Sequence, residues 1–97
     1  MITIANQLFE IKSKMEKFEY LKIERNVNRL FHELNQLGYE IVDPIGRKYL
    51  DTDISIDATV NGEITARSKV VKVLKPIIYK EEEGSSQLVQ KGIVIVE

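Results

Sequence analysis

From Ile2 to Leu37 the apolar residues return every three or four positions. One series runs Ile4, Leu8, Ile11, Met15, Phe18; a second runs Tyr20, Ile23, Val27, Leu30, Leu34, Leu37. Each is the stripe of an amphipathic helix. The two stripes are out of phase, because the step from Phe18 to Ile23 is shorter than a heptad. No Gly, Pro, Asn or Asp falls in "KFEYLK" (17–22), so the pattern predicts one long helix whose apolar face rotates there, rather than two helices in a tight turn. Gly38 ends the helix as a residue free to take positive φ.

Beyond Gly38 the period changes to two. "YEIV" predicts a short strand and "DPIG" (43–46) a turn. "ISIDATV" (54–60) predicts a half-buried strand. Asn61-Gly62 is a strong hairpin signal, with "EITARSKVVKVL" (63–74) as the partner strand. Its alternation stumbles at Val70 and Val71, as at a bulge. Pro76 marks an edge or a bend. "KEEEGSSQ" (80–87) reads as a solvated loop. "GIVIV" (92–96) has apolar residues on both faces, the pattern of an inner strand covered on both sides. The expected fold is α+β: a helical dimerisation arm over residues 1–38, then a small, mostly antiparallel β head over 39–97.

Size changes this picture by making self-association attractive. A chain of 97 residues, 43% hydrophobic and with a net charge of −1, is one domain with a modest core. Two apolar stripes exceed what so small a head can cover, so Leu8, Ile11, Met15, Phe18, Ile23, Val27, Leu30 and Leu34 are expected to form a homodimer interface. The balanced charge leaves no electrostatic footprint for nucleic acid or an acidic membrane. There are no cysteines, so disulfides and thiol catalysis are excluded and a cytoplasmic setting is expected. The first residues lack the pattern of a signal peptide, and no stretch suits a membrane span.

Candidate chemistry is sparse. "DTDISID" (51–57) places Asp51, Asp53, Ser55 and Asp57 on alternate positions, as oxygen ligands open a calcium loop. Counting from Asp51, however, Ile56 stands where such a loop needs glycine and Gly62 where it needs glutamate. The stretch is expected to be a strand that binds no metal. His32 is the only histidine and falls on the outer helix face without a nucleophile or metal partner. Lys69, Lys72, Lys75 and Lys80 with Tyr79 form a basic-aromatic strip, more often a solvated sheet edge than a nucleic-acid site. Glu81 to Glu83 solubilise a loop. No phosphate-cradling glycine loop or nucleophile elbow is present. The expectation is a binding protein, not an enzyme, with no cofactor.

The order of motifs resembles a known family. "IANQLFEIKSKMEKFE" and "IERNVNRLFHELNQLGYEIVDPIG" look like the two bundle helices and first strand of GrpE, the nucleotide exchange factor of DnaK-type chaperones. "YLDTDISIDATV", "VVKVLKPIIYK" and "LVQKGIVIV" are similar to its head segments. Against the family pattern, Thr52 replaces a proline, Ser55 a histidine, Ile77 a glycine, and Lys91-Gly92 a Pro-Ala pair. The resemblance implies a homodimer whose head binds the nucleotide-binding domain of a DnaK-type chaperone and promotes ADP release. It implies contacts at Leu74, with Lys72, Lys75 and Pro76 around it, and at Val96. The rival expectations are a structural or adaptor homodimer and a small nucleic-acid-binding regulator.

Overall fold

The computed structural model describes the backbone of residues 1–18 and 23–97 and the side chains of 1–14 and 23–97. The described elements are α1 (Ile2–Phe18), α2 (Glu24–Gln36), β1 (Tyr39–Val42), β2 (Ile56–Val60), β3 (Val70–Lys75), β4 (Ile77–Glu82), β5 (Ser85–Gln90) and β6 (Gly92–Val96). The α+β class stands.

The single long helix does not. Leu8 packs with Leu34, and Lys12 lies over the ring of Phe31 at 5.5 Å. Advancing along α1 thus means retreating along α2, so the helices are antiparallel neighbours. Packing is the physical reason: as antiparallel neighbours, both stripes close on Ile78 of β4, with Ala5 and Leu8 from one helix and Leu34 from the other. Tyr20 and most of "KFEYLK" lie outside the described residues.

The six described strands form two sheets, ordered β1-β4-β5 and β2-β6-β3. Ile77 and Ile78, adjacent on central β4, both have 0% exposure and point to opposite faces. Ile78 joins Ala5, Leu8 and Leu34, with Phe31, Tyr39 and Ile41 alongside. Ile77 joins Ile56, Val70, Val94 and Val96 from the other sheet, with Val42, Tyr79 and Leu88 alongside. The layers are therefore helices, sheet, sheet. The helices share a core with β4, so the arm and head meet as packed layers.

The second sheet departs from the expected hairpin. β2 and β3 do not pair. Both lie beside β6, β2 parallel and β3 antiparallel. Asn61 donates its N–H to the Val96 carbonyl at 2.9 Å and Gly62 takes φ +82, yet the following residues do not return along β2. "EITARSK" offers only Ile64 and Ala66 as apolar partners, whereas "GIVIV" matches Ile56, Ala58 and Val60 of β2 with Gly92, Val94 and Val96. Residues 65–68 instead close on themselves, with the Thr65 N–H donating to the Ser68 hydroxyl at 2.8 Å. The bulge expected at Val70–Val71 is present as a register shift between Val70 and Lys72.

β6 is the central strand, as expected, but it is not covered on both sides. Val94 and Val96 face the core and Ile93 is exposed. The "KEEEGSSQ" loop is also overturned. β4 runs to Glu82 and β5 starts at Ser85. Between them Glu83 (φ 51) and Gly84 (φ 79) both take positive φ, the geometry of a type I′ hairpin turn.

Gly92 shows why one glycine of the inter-sheet core is irreplaceable. A Cβ there would lie 2.9 Å from the Ile77 side chain and 3.4 Å from that of Ile56. Gly92→Ala is expected to lower stability by about 1–3 kcal/mol through overpacking. Denaturant melting checks this, and an unchanged midpoint would show that the sheets separate freely at this point.

Candidate functional site

The turn after β1 is built as its residues dictate. The Asp43 carboxylate accepts the Ile45 N–H at 3.0 Å, the Pro44 carbonyl accepts the Arg47 N–H at 3.0 Å, and Gly46 takes φ +79. Residues 46–49 then run beside the start of β3: Gly46 and Arg47 exchange bonds with Val70, and Tyr49 donates to Ser68.

"DTDISID" follows, and only its last two residues belong to a strand, since β2 begins at Ile56. Asp51 to Ser55 form a turn region instead. The alternation there comes from turn hydrogen bonding. Asp53 accepts from both the backbone N–H and the hydroxyl of Ser55 and from the Arg47 guanidinium at 3.1 Å; Arg47 also donates to the Ser55 hydroxyl at 3.0 Å. Asp53 and Ser55 are thus committed to structure. Among the described residues no group of three His, Asp or Glu side chains is placed to hold a metal ion.

Burial works to raise the Asp53 pKa, but the Ser55 and Arg47 hydrogen bonds outweigh it and hold it below the ordinary 3.8. A depressed carboxylate pKa stabilises the fold above the unfolded value. That contribution fades as pH falls from about 3.8 toward the lower folded value. Asp53→Ala is expected to cost about 1–3 kcal/mol at neutral pH, as for hydrogen bonds to a charged group. The gap between variant and wild type should narrow below pH 3.8. Urea melts at neutral pH and near pH 3 check both points; a gap that widens in acid would contradict the sign.

The best-formed surface is the outer face of the β2-β6-β3 sheet. Cross-strand register sets Asp57, Ile93 and Lys75 in one row and Thr59, Ile95 and Lys72 in the next. Leu74 lies at the second register shift of β3, between Val73 and Lys75. Leu74 is 54% exposed and Ile93 37%. An apolar centre of Leu74, Ile93 and half-buried Ile95 is therefore flanked by lysines on one side and by Asp57 and Thr59 on the other. An apolar patch rimmed by polar groups is the usual build of a binding surface.

Of the contact residues expected from sequence, Leu74, Lys72 and Lys75 lie on this surface. Val96 and Pro76 do not. Val96 is 0% exposed in the inter-sheet core, because its register beside Val60 and Val70 turns it inward. Pro76 is fully buried where the chain passes from β3 to β4. Ile93, Ile95 and Asp57 join the surface instead. Asp57 carried a signal, the polar alternation of "ISIDATV"; Ile93 and Ile95 carried none, because "GIVIV" is apolar on both faces.

The helical residues divide similarly. Leu8, Val27 and Leu34 are buried within the chain. Ile11, Ile23 and Leu30 are exposed, as are Ile4 and Leu37. The side chains of Met15 and Phe18 lie outside the described residues. His32 is exposed as expected, on the rim of a cleft between the helices and β1. The lysine strip is split between sheets: Lys72 and Lys75 are on β3, while Lys80 on β4 pairs with Glu82 at 3.3 Å and lies over the Tyr39 ring at 5.1 Å. Among the described residues no helix is long and apolar enough to cross a membrane. Compared with protein-family models, curated proteins and solved structures, the chain shows no significant match to any of the three.

Proposed function

We propose that the protein is a GrpE-like co-chaperone that binds the nucleotide-binding domain of a DnaK-type chaperone through the outer face of the β2-β6-β3 sheet and promotes ADP release. One observation carries the reading: Leu74, the position that resembles the family's apolar contact, stands uncovered between Lys72 and Lys75 and beside Ile93. The work is binding rather than chemistry. A head that prefers the open nucleotide cleft over the closed one shifts the chaperone toward the open form, and nucleotide leaves. The test is a pull-down with a DnaK-type chaperone, with and without ADP, paired with stopped-flow release of labelled ADP. Capture that ADP weakens, together with faster release, supports the proposal. Absence of both sinks it.

The same reading includes a homodimer. Ile4 and Ile11 line one side of α1, and Ile23, Leu30 and Leu37 recur at the same spacing along and beside α2. These apolar residues are exposed among the described residues, and a second copy would bury them. Light scattering at micromolar concentration checks this, with a monomer as the refuting result. A dimer that neither captures the chaperone nor speeds ADP release would instead favour the structural or adaptor reading.

A further inference from the structure

Among the described residues strand β1 forms one edge of its sheet, with β4 as its one neighbour. The Gly38 carbonyl accepts the Glu81 N–H at 2.8 Å. In an antiparallel ladder the groups facing the partner alternate. Glu40 and Val42 therefore turn their backbone groups toward β4, and Tyr39 and Ile41 turn theirs to the open edge. β1 is short and carries Glu40, but it has no lysine, proline or register shift to block pairing. β3, by contrast, carries lysines and two register shifts.

A cleft of about 420 Å³ runs beside that edge. Tyr39, Glu40 and Ile41 all line it. Consecutive strand residues point to opposite faces, so the cleft follows the backbone edge rather than one face of the sheet. The opposite wall is helical, with half-buried Phe31 as its apolar surface, buried Phe9 behind it and Lys12 over Phe31. Glu40 and Asp43 bring two exposed carboxylates to the strand side, and among the described residues neither has an ion-pair partner.

We infer that β1 takes up an extended peptide segment by strand addition. The segment pairs with the backbone of Tyr39 and Ile41, lays one apolar side chain on half-buried Phe31, and sets basic residues against Glu40 and Asp43. Backbone pairing supplies affinity and the cleft selects the side chain. A second copy of the chain suits the edge less well in the register centred on Glu40, where a two-fold axis sets carboxylate opposite carboxylate. The inference is independent of the chaperone reading, since the two surfaces lie on different sheets.

The test uses the full chain labelled with ¹⁵N and the probe acetyl-Lys-Thr-Phe-Val-Thr-Lys-amide. Expected are saturable shifts of the Tyr39 to Val42 amides and roughly tenfold slower hydrogen exchange at Tyr39 and Ile41, as backbone groups become paired. The same peptide N-methylated at every amide should not bind. The double variant Glu40→Lys, Asp43→Asn changes two exposed side chains and keeps an oxygen to accept the Ile45 N–H. It should weaken the lysine-flanked probe roughly fivefold or more and reverse the preference toward a glutamate-flanked one. No saturable shift at millimolar peptide overturns the inference. So does equal binding of the methylated probe, a response confined to β3 or β5, or β1 amides already protected in a peptide-free dimer.

Discussion

Ile78→Ala is expected to destabilise the protein by about 2–5 kcal/mol, the usual cost of truncating a fully buried isoleucine. For a domain of this size that is a large share of the total, which is commonly about 5–15 kcal/mol. Ile78 has 0% exposure and is the β4 residue that Ala5, Leu8 and Leu34 close over. Its loss leaves a cavity between helices and sheet. Ile77→Ala removes the same atoms from the other face of the same strand, beneath Val70, Val94 and Val96. The two variants should have similar midpoints in denaturant but different patterns of native-state hydrogen exchange. Ile78→Ala should raise exchange most in α1 and α2, and Ile77→Ala most in β2, β3 and β6. Helix protection unchanged in Ile78→Ala would show that the helices are held by something other than β4.

Leu74→Asp is expected to leave the fold and its melting temperature nearly intact while weakening chaperone binding by about 2 kcal/mol or more, the usual hot-spot threshold. Leu74 is 54% exposed, so a carboxylate there stays hydrated and avoids the penalty of burying a charge. On the chaperone-facing reading, the same carboxylate would be desolvated at the centre of the contact, and ADP release should slow in proportion. Thermal melting and ADP-release kinetics on this one variant separate the possibilities. A folded Leu74→Asp protein that binds as tightly as wild type rules out Leu74 as the anchor. A collapse in melting temperature shows that the side chain supports the fold.

How much of the candidate surface was legible in sequence depends on what each residue needed. Leu74 was pointed to by the family resemblance, with Lys72 and Lys75 around it; its exposure follows from a bulged edge strand with few neighbours to bury it. Val96 was not legible as a core residue. Nothing local distinguishes it from Ile95, and only the register beside Val60 and Val70 turns it into the core. Asp53 misled in another way. Its spacing from Asp51, Ser55 and Asp57 is strand-like, but the Arg47 guanidinium and the Ser55 donors pull the stretch into a turn. Arg47 is close in sequence, yet no periodicity marks it as a partner.

Sequence by itself determined what depends on a residue and its near neighbours. The helical stripes, the stop at Gly38, the Asp43–Gly46 turn and the Val70–Val71 bulge are all set by backbone dihedrals, short hydrogen bonds or the phase of apolar positions. Only the tertiary structure decided which faces meet. Apolar phase says that a residue turns inward without saying against what, so it could not choose between a rotating helix and two antiparallel ones packed on Ile78. The same limit misassigned the hairpin. Asn61-Gly62 was the stronger local turn signal, but β2 gains more by matching its inner face to the apolar run of β6 than to residues 63–69. Glu83-Gly84, the weaker signal, makes the hairpin because β4 is held in place by helices on one face and a second sheet on the other. Pairing is won by the total apolar area that the strands bury together, and that area exists only once the layers are assembled.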